Sequence, residues 1–154
     1  MPNSILDAKS RNLLAHLQQD ARLSFAELGR RVGLSTPAVA ERVRRLEEAG
    51  VIEGYEARIN PRALGLEVTA FVRIRVTGAE TLARKLSKLA GELPEVLECH
   101  RCTGDESFVL KVRVGSVGEL EKLIDRLTPF GMTSTALVLS SPVERWLAPL
   151  KRKP

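Results

Sequence analysis

The chain has 154 residues, of which 44% are hydrophobic, 28% charged and 4% aromatic. That composition suits one or two folded soluble domains and excludes a disordered chain, and no apolar run approaches the ~20 residues of a membrane span. The net charge of +5 is uneven: residues 1–65 hold ten Lys/Arg against eight Asp/Glu, residues 66–150 hold eleven of each, and Lys151, Arg152 and Lys153 supply the rest, so a polyanion partner must be argued from local placement.

Residues 7–49 carry helical periodicity. Asp7 caps a first predicted helix with Leu13, Leu14 and Leu17 on its apolar side. Ser24-Phe25-Ala26-Glu27 reads as a capping box that opens a short second helix, with Phe25, Leu28 and Val32 on one stripe. Gly33 suits the left-handed position that ends it. Ser35 caps a third helix, with Pro37 in its first turn and Val39, Val43 and Leu46 spaced for a core; Gly50 closes it. Val51–Asn60 reads as extended, a small wing or a strand leading out.

Asn60-Pro61-Arg62-Ala63-Leu64-Gly65 has turn chemistry, and the period changes after it. From Leu66 to Val76 every second residue is apolar, which predicts a strand. A helix is expected near 79–91 through Leu82, Leu86 and Leu89, then strands near 96–103 and 107–114. Ser116-Val117-Gly118-Glu119 is a second capping box, opening a helix with Leu120, Leu123, Ile124 and Leu127. A last strand is expected near 132–141. The order β-α-β-β-α-β is the ferredoxin-like pattern.

Two short helices joined by Val32-Gly33-Leu34-Ser35 form the core of a helix-turn-helix, though other small helical bundles share that periodicity. The third helix favours the DNA reading. Opposite its apolar stripe lie Pro37, Ala38, Glu41, Arg44, Arg45 and Glu48, with Thr36 and Arg42 at the flanks. Ser35, Thr36, Pro37 and Ala38 let the backbone approach a groove, and Arg42, Arg44 and Arg45 can reach guanine edges or phosphates. Glu41 can accept from a cytosine amine or pair with Arg45 on the helix surface.

The stretch from Leu34 to Glu47, LSTPAVAERVRRLE, resembles the Lrp/AsnC family of leucine-responsive and asparagine regulators. Similar to that family too are Asp20-Ala21-Arg22-Leu23-Ser24, Gly50-Val51-Ile52, Gly54-Tyr55, Asn60-Pro61, Leu64-Gly65, Glu98-Cys99-His100-Arg101, Thr103-Gly104-Asp105 and Leu110-Lys111-Val112. The resemblance spans roughly residues 5–145. It implies an α+β chain: a winged helix-turn-helix, residues 1–59, a hinge, 60–65, and a ferredoxin-like effector and oligomerisation domain, 66–145, before a basic tail, 146–154. It further implies a transcriptional regulator that binds double-stranded DNA as a homodimer, tetramer or octamer and answers to an amino acid or other small effector. No cofactor or enzyme activity is expected, and the setting is the cytoplasm, at the nucleoid.

Effector-binding family members carry a Gly-Asp-Tyr-Asp-like turn before the third strand of this domain. Here the turn is Gly104-Asp105-Glu106-Ser107, so Ser107 stands where a second acid would hold a ligand's ammonium group. The turn has a purely structural reading as well, since Gly and Asp suit tight turns. Phe71 and Val109 fall on the side of the sheet away from the expected helices, which points to a buried face between two copies; Trp146 is placed at a subunit contact. Cys99 and Cys102 invite a metal reading, but on a strand they point to opposite faces and no second ligand pair exists.

Two other functions fit parts of the chain. An architectural DNA-binding protein without effector would suit Ser107 and the basic tail. A haem-biosynthesis decarboxylase of the same fold would need cations and imidazoles around a tetrapyrrole, for which His100 and Arg101 are the sole adjacent pair.

Overall fold

The structure is a computed structural model that describes residues 5–78 and 80–144. It contains two compact units, the first ending at Arg58 and the second running from Ile59 to Val143. Trp146 and the basic tail lie outside the described residues.

The first unit holds three helices: α1 (Ala8–Gln19), α2 (Phe25–Val32) and α3 (Thr36–Glu48). Each begins where a polar cap satisfies an orphan amide. Asp7 accepts from the Ser10 amide at 2.7 Å, Ser24 from Glu27 at 3.2 Å and Ser35 from Ala38 at 3.4 Å. The Ser24 box is only half formed, because the Glu27 carboxylate turns to Arg30 and Arg31 instead of reaching back. Leu13, Leu14, Leu17, Leu28, Val32, Val39, Val43 and Leu46 form the core. Phe25, expected on the apolar stripe, is instead 41% exposed at the first position of α2.

The α2–α3 turn packs unusually close to its own helix. Gly33 adopts φ 66°, ψ 51°, a left-handed cap that Gly supplies without a Cβ penalty. Leu34 donates to the Gly29 carbonyl at 2.9 Å, and a Cβ on Gly29 would lie 2.5 Å from the Leu34 oxygen. Gly29 is thus a packing requirement inside a helix. Past α3, the Val51 and Ile52 amides still donate to Leu46, at 2.8 and 3.1 Å, and residues 53–60 carry no strand. The expected wing is therefore not built within this unit. An extended segment needs a ladder partner for its backbone groups, and these helices offer none.

Asn60 and Gly65 bracket a 3₁₀ turn, Pro61–Leu64, so the expected hinge is a capped turn. The second unit then follows the expected order: β1 (Val68–Arg75), α4 (Glu80–Glu92), β2 (Val96–Arg101), β3 (Phe108–Val114), α5 (Val117–Leu127) and β4 (Met132–Leu137). The sheet is antiparallel, in the order β2-β3-β1-β4. Alternation assigns one face to the helices: Ala70, Val72, Ile74, Phe108, Leu110, Val112 and Val114 are buried with Leu86, Ala90, Leu120, Leu123 and Leu127. The second capping box also departs from its expected form. Ser116 accepts from Glu119 at 3.2 Å, but the Glu119 carboxylate accepts from the Gly115 amide at 2.8 Å rather than from its own cap residue.

Candidate nucleic-acid interface

α3 is anchored by its buried stripe of Val39, Val43 and Leu46, which turns the opposite side to solvent. Ser35, Thr36 and Pro37 are exposed at its start and Ala38 is half-buried. Small side chains here leave the backbone accessible to a groove.

The charged residues singled out from the sequence on α3 do not share one environment. Arg42 turns back into the unit. Its Nη1 donates to both Asp7 carboxylate oxygens, at 2.9 and 2.8 Å, and to Ser10 Oγ at 2.9 Å. The Ser10 amide and Arg42 together hold the Asp7 carboxyl below its ordinary range. Arg42 thus ties α3 to the α1 cap. Arg44 and Arg45 point outward instead. Arg44 donates through Nε and Nη2 to the two Glu41 oxygens, at 3.0 and 2.7 Å, and through Nη1 to Glu48. Arg45 Nε lies 3.3 Å from Glu41 Oε1, so the helix-surface pairing expected for Glu41 is present, with Arg44 as the closer partner. These hydrogen bonds lower the Glu41 pKa and raise that of Arg44.

Sequence reasoning missed two features of this unit. Tyr55 donates to Glu47 at 2.8 Å, and partial burial together with that carboxylate pushes its phenol up to about 12. Lys9 Nζ reaches the Val32 carbonyl at 2.6 Å, placing a cation at the C-terminal end of α2. Neither has a periodicity signal, since both join residues that the fold brings together.

In the second unit the turn at 104–107 is tied to β1. Gly104 takes φ 106°. The Ser107 hydroxyl accepts from the Val76 amide at 3.2 Å and the Ser107 amide donates to Ile74 at 2.9 Å. Arg75 Nε donates to the Asp105 carbonyl at 2.9 Å, with Nη2 3.8 Å from the Asp105 carboxylate. Arg73 lies 3.8 Å from Glu106. The Asp105 side chain is nonetheless 88% exposed. Strand alternation carried the two arginines as polar positions, and gave no sign that they meet this turn.

Register places Phe71 opposite Lys111 and Arg73 opposite Val109, so Phe71 and Val109 are diagonal neighbours on the face away from the helices. Phe71 is 39% exposed there, and Met132 on β4 69%. On β2, Glu98 and His100 share this face and pair at 3.1 Å, while Lys111 reaches Glu98 at 3.0 Å. Hydrogen bonds from His100 and then Lys111 lower the Glu98 pKa. Cys99 pairs with Leu110 on the opposite face; burial, then neighbouring Cys102, raises its thiol pKa, which disfavours the reactive thiolate.

Known proteins share this arrangement. Residues 6–47 match the family model for the AsnC-type helix-turn-helix domain, and residues 69–147 that for the Lrp/AsnC ligand binding domain. An uncharacterised HTH-type transcriptional regulator of Bacillus subtilis, YezC, is 43% identical over 88% of this chain and 95% of its own. The leucine-responsive regulatory protein of Escherichia coli is 41% identical over 80% of this chain and 76% of its own. A transcriptional regulator of Neisseria meningitidis, solved as its L-Met complex, superposes with TM-score 0.90 at 27% identity, covering 94% of this chain and 97% of its own. With both halves matched in order, this chain belongs to the Lrp/AsnC family of DNA-binding transcriptional regulators.

Proposed function

We propose that this regulator reads operator DNA with Arg44 and Arg45, on the α3 face that begins at Ser35, Thr36, Pro37 and Ala38. The observation that carries the reading is the outward placement of two guanidinium groups on a helix whose other side is locked into a core. Residues 1–59 act as the reading head, 60–65 as the hinge, 66–145 as the sensing and assembly domain and 146–154 as a basic tail that adds phosphate affinity. The setting is the cytoplasm, at the nucleoid. Selection of bound fragments from the host genome, followed by footprinting, tests this: a short recurrent motif is expected. Protection without sequence preference would assign the chain to DNA packaging instead.

Assembly runs through the open sheet face around Phe71 and Val109, where two copies meet as a homodimer that can build tetramers or octamers. Apolar side chains on an uncovered sheet face call for a cover, and two heads on one dimer read two half-sites about one helical turn apart. Phe71→Glu places a carboxylate in that contact. Sedimentation is expected to show a shift from dimer toward monomer, with dimer affinity lowered about tenfold or more. An unchanged dimer would move the interface elsewhere.

The effector site centres on Gly104, Asp105 and Ser107 at a subunit boundary. Amides around Gly104 suit a carboxylate and Asp105 suits an ammonium group, the two charges of an amino acid. The likeness to a regulator solved with L-Met supports that class. Ser107 is neutral and already accepts from Val76, so the charged hydrogen bond to the ammonium falls to Asp105, whose partner Arg75 competes. With one acid replaced by Ser107, calorimetry against the twenty amino acids is expected to show at most weak binding, which Asp105→Ala removes. Binding that survives the substitution would place the pocket elsewhere.

A further inference from the structure

An acid in the middle of a DNA-facing surface needs an explanation, because it repels the phosphates that its neighbours attract. Stability does not supply one. The Glu41 and Arg44 side chains are each about half exposed, and helix-surface ion pairs of this kind contribute little. The geometry is more specific than a salt bridge requires. Glu41 takes the Nε and Nη2 donors of Arg44 with one oxygen each, a planar fork that fixes the guanidinium about its long side-chain torsions. The edge formed by Nη1 and Nη2 remains for another planar partner, and Glu48 touches it through Nη1. A guanine presents two acceptors, O6 and N7, to that same edge.

We propose that Glu41 is a positioning residue for Arg44, holding one guanidinium edge so that the other is offered to a guanine, and that Glu48 is the competitor that occupies this second edge until DNA displaces it. The inference rests on the reading of Arg44 as a base-contacting residue. Glu41 forms no contact with DNA in this scheme; it acts by removing the rotamer freedom that Arg44 would otherwise lose on binding. The two acids therefore differ in role although they lie two turns apart on one helix and carry the same charge. Arg45 meets Glu41 through Nε alone, at 3.3 Å, and is the less constrained of the pair.

The equal charge makes the test internally controlled. Each of Glu41→Gln and Glu48→Gln removes one negative charge from the same exposed surface, so both should raise affinity for a shuffled duplex by a similar factor. The affinity ratio of a genome-selected fragment over that shuffled duplex, measured by fluorescence anisotropy in the full-length protein at one salt concentration, separates them. Glu41→Gln should lower the ratio about tenfold, whereas Glu48→Gln should leave it within about twofold while tightening both duplexes. In an Arg44→Ala background, Glu41→Gln should have no further effect on the ratio, as expected of residues acting as one unit. Thermal unfolding should be the same for all these variants, since both acids are exposed. A collapse of the ratio in Arg44→Ala without any fall in Glu41→Gln would overturn the positioning role alone. A ratio untouched by Arg44→Ala would overturn the base-contacting role of Arg44 and the inference with it.

Discussion

Replacing Arg44 and Arg45 together by Ala should cost this regulator at least about a hundredfold in operator affinity while leaving its stability intact. A base-reading arginine contributes about 1–3 kcal/mol of discrimination, and a phosphate-contacting one lowers the salt slope by about one unit. Arg44 should fall near the middle of that range rather than at its top. Its guanidinium is already paired with Glu41 and Glu48, so DNA binding exchanges part of one set of charged hydrogen bonds for another. Arg42 is the built-in control. It lies two residues away on the same helix, yet its guanidinium belongs to Asp7 and Ser10. Arg42→Ala should lower the melting temperature of the head, because it strips a part-buried carboxylate and hydroxyl of their partner, and should change the salt slope little. Anisotropy titrations across salt concentration, alongside thermal melts, separate the two effects. Operator binding by the double Ala variant at parental strength would remove α3 as the reading element.

Gly131→Ala should destabilise the second unit by roughly 3 kcal/mol or more, through strain and overpacking together. Gly131 sits at φ 152°, ψ −171°, a region essentially restricted to glycine. A Cβ there would lie 2.1 Å from the Arg75 carbonyl oxygen and 2.8 Å from its carbon. Both obstacles are backbone, so no rotamer change relieves them. The residue leads directly into β4, whose ladder with β1 begins at Arg75 opposite Met132. Relief requires that end of β4 to move off β1, which would remove the support of the edge strand. For a unit of this size the loss corresponds to a melting temperature lower by about 12 °C or more. Differential scanning calorimetry checks this, and a variant melting within a few degrees of the parent would show that the β1–β4 edge tolerates the added carbon.

The fold was legible where a periodicity reports directly on burial. Leu13, Leu17, Val39, Val43 and Leu46 repeat at helical spacing and are buried in the first unit; Ala70, Val72 and Ile74 alternate and are buried in the second. Caps were legible for the same local reason: Asp7, Ser24, Ser35 and Ser116 each hold an amide three residues on. The reciprocal halves of the two capping boxes were not. The Glu27 and Glu119 carboxylates had other donors within reach, Arg30 and Arg31 in one case and the Gly115 amide in the other, and side-chain reach is set by neighbours as much as by spacing.

Among the site residues, the sequence alone determined that an Arg-bearing helix follows a tight glycine turn, and that a ferredoxin-like sheet with apolar side chains on both faces comes after it. These are consequences of short-range spacing, which the chain carries whatever it packs against. Only the tertiary structure decided which arginines turn outward and which turns back into the unit. Arg42 and Arg44 are two residues apart on α3, and their different surroundings depend on Asp7, 35 residues upstream of Arg42, arriving beside one of them. It likewise decided that Ser107 closes the end of β1, and that Gly29 and Gly131 leave no room for a methyl group. Contacts between distant segments have no period, so their signal lies in coordinates that only folding brings together.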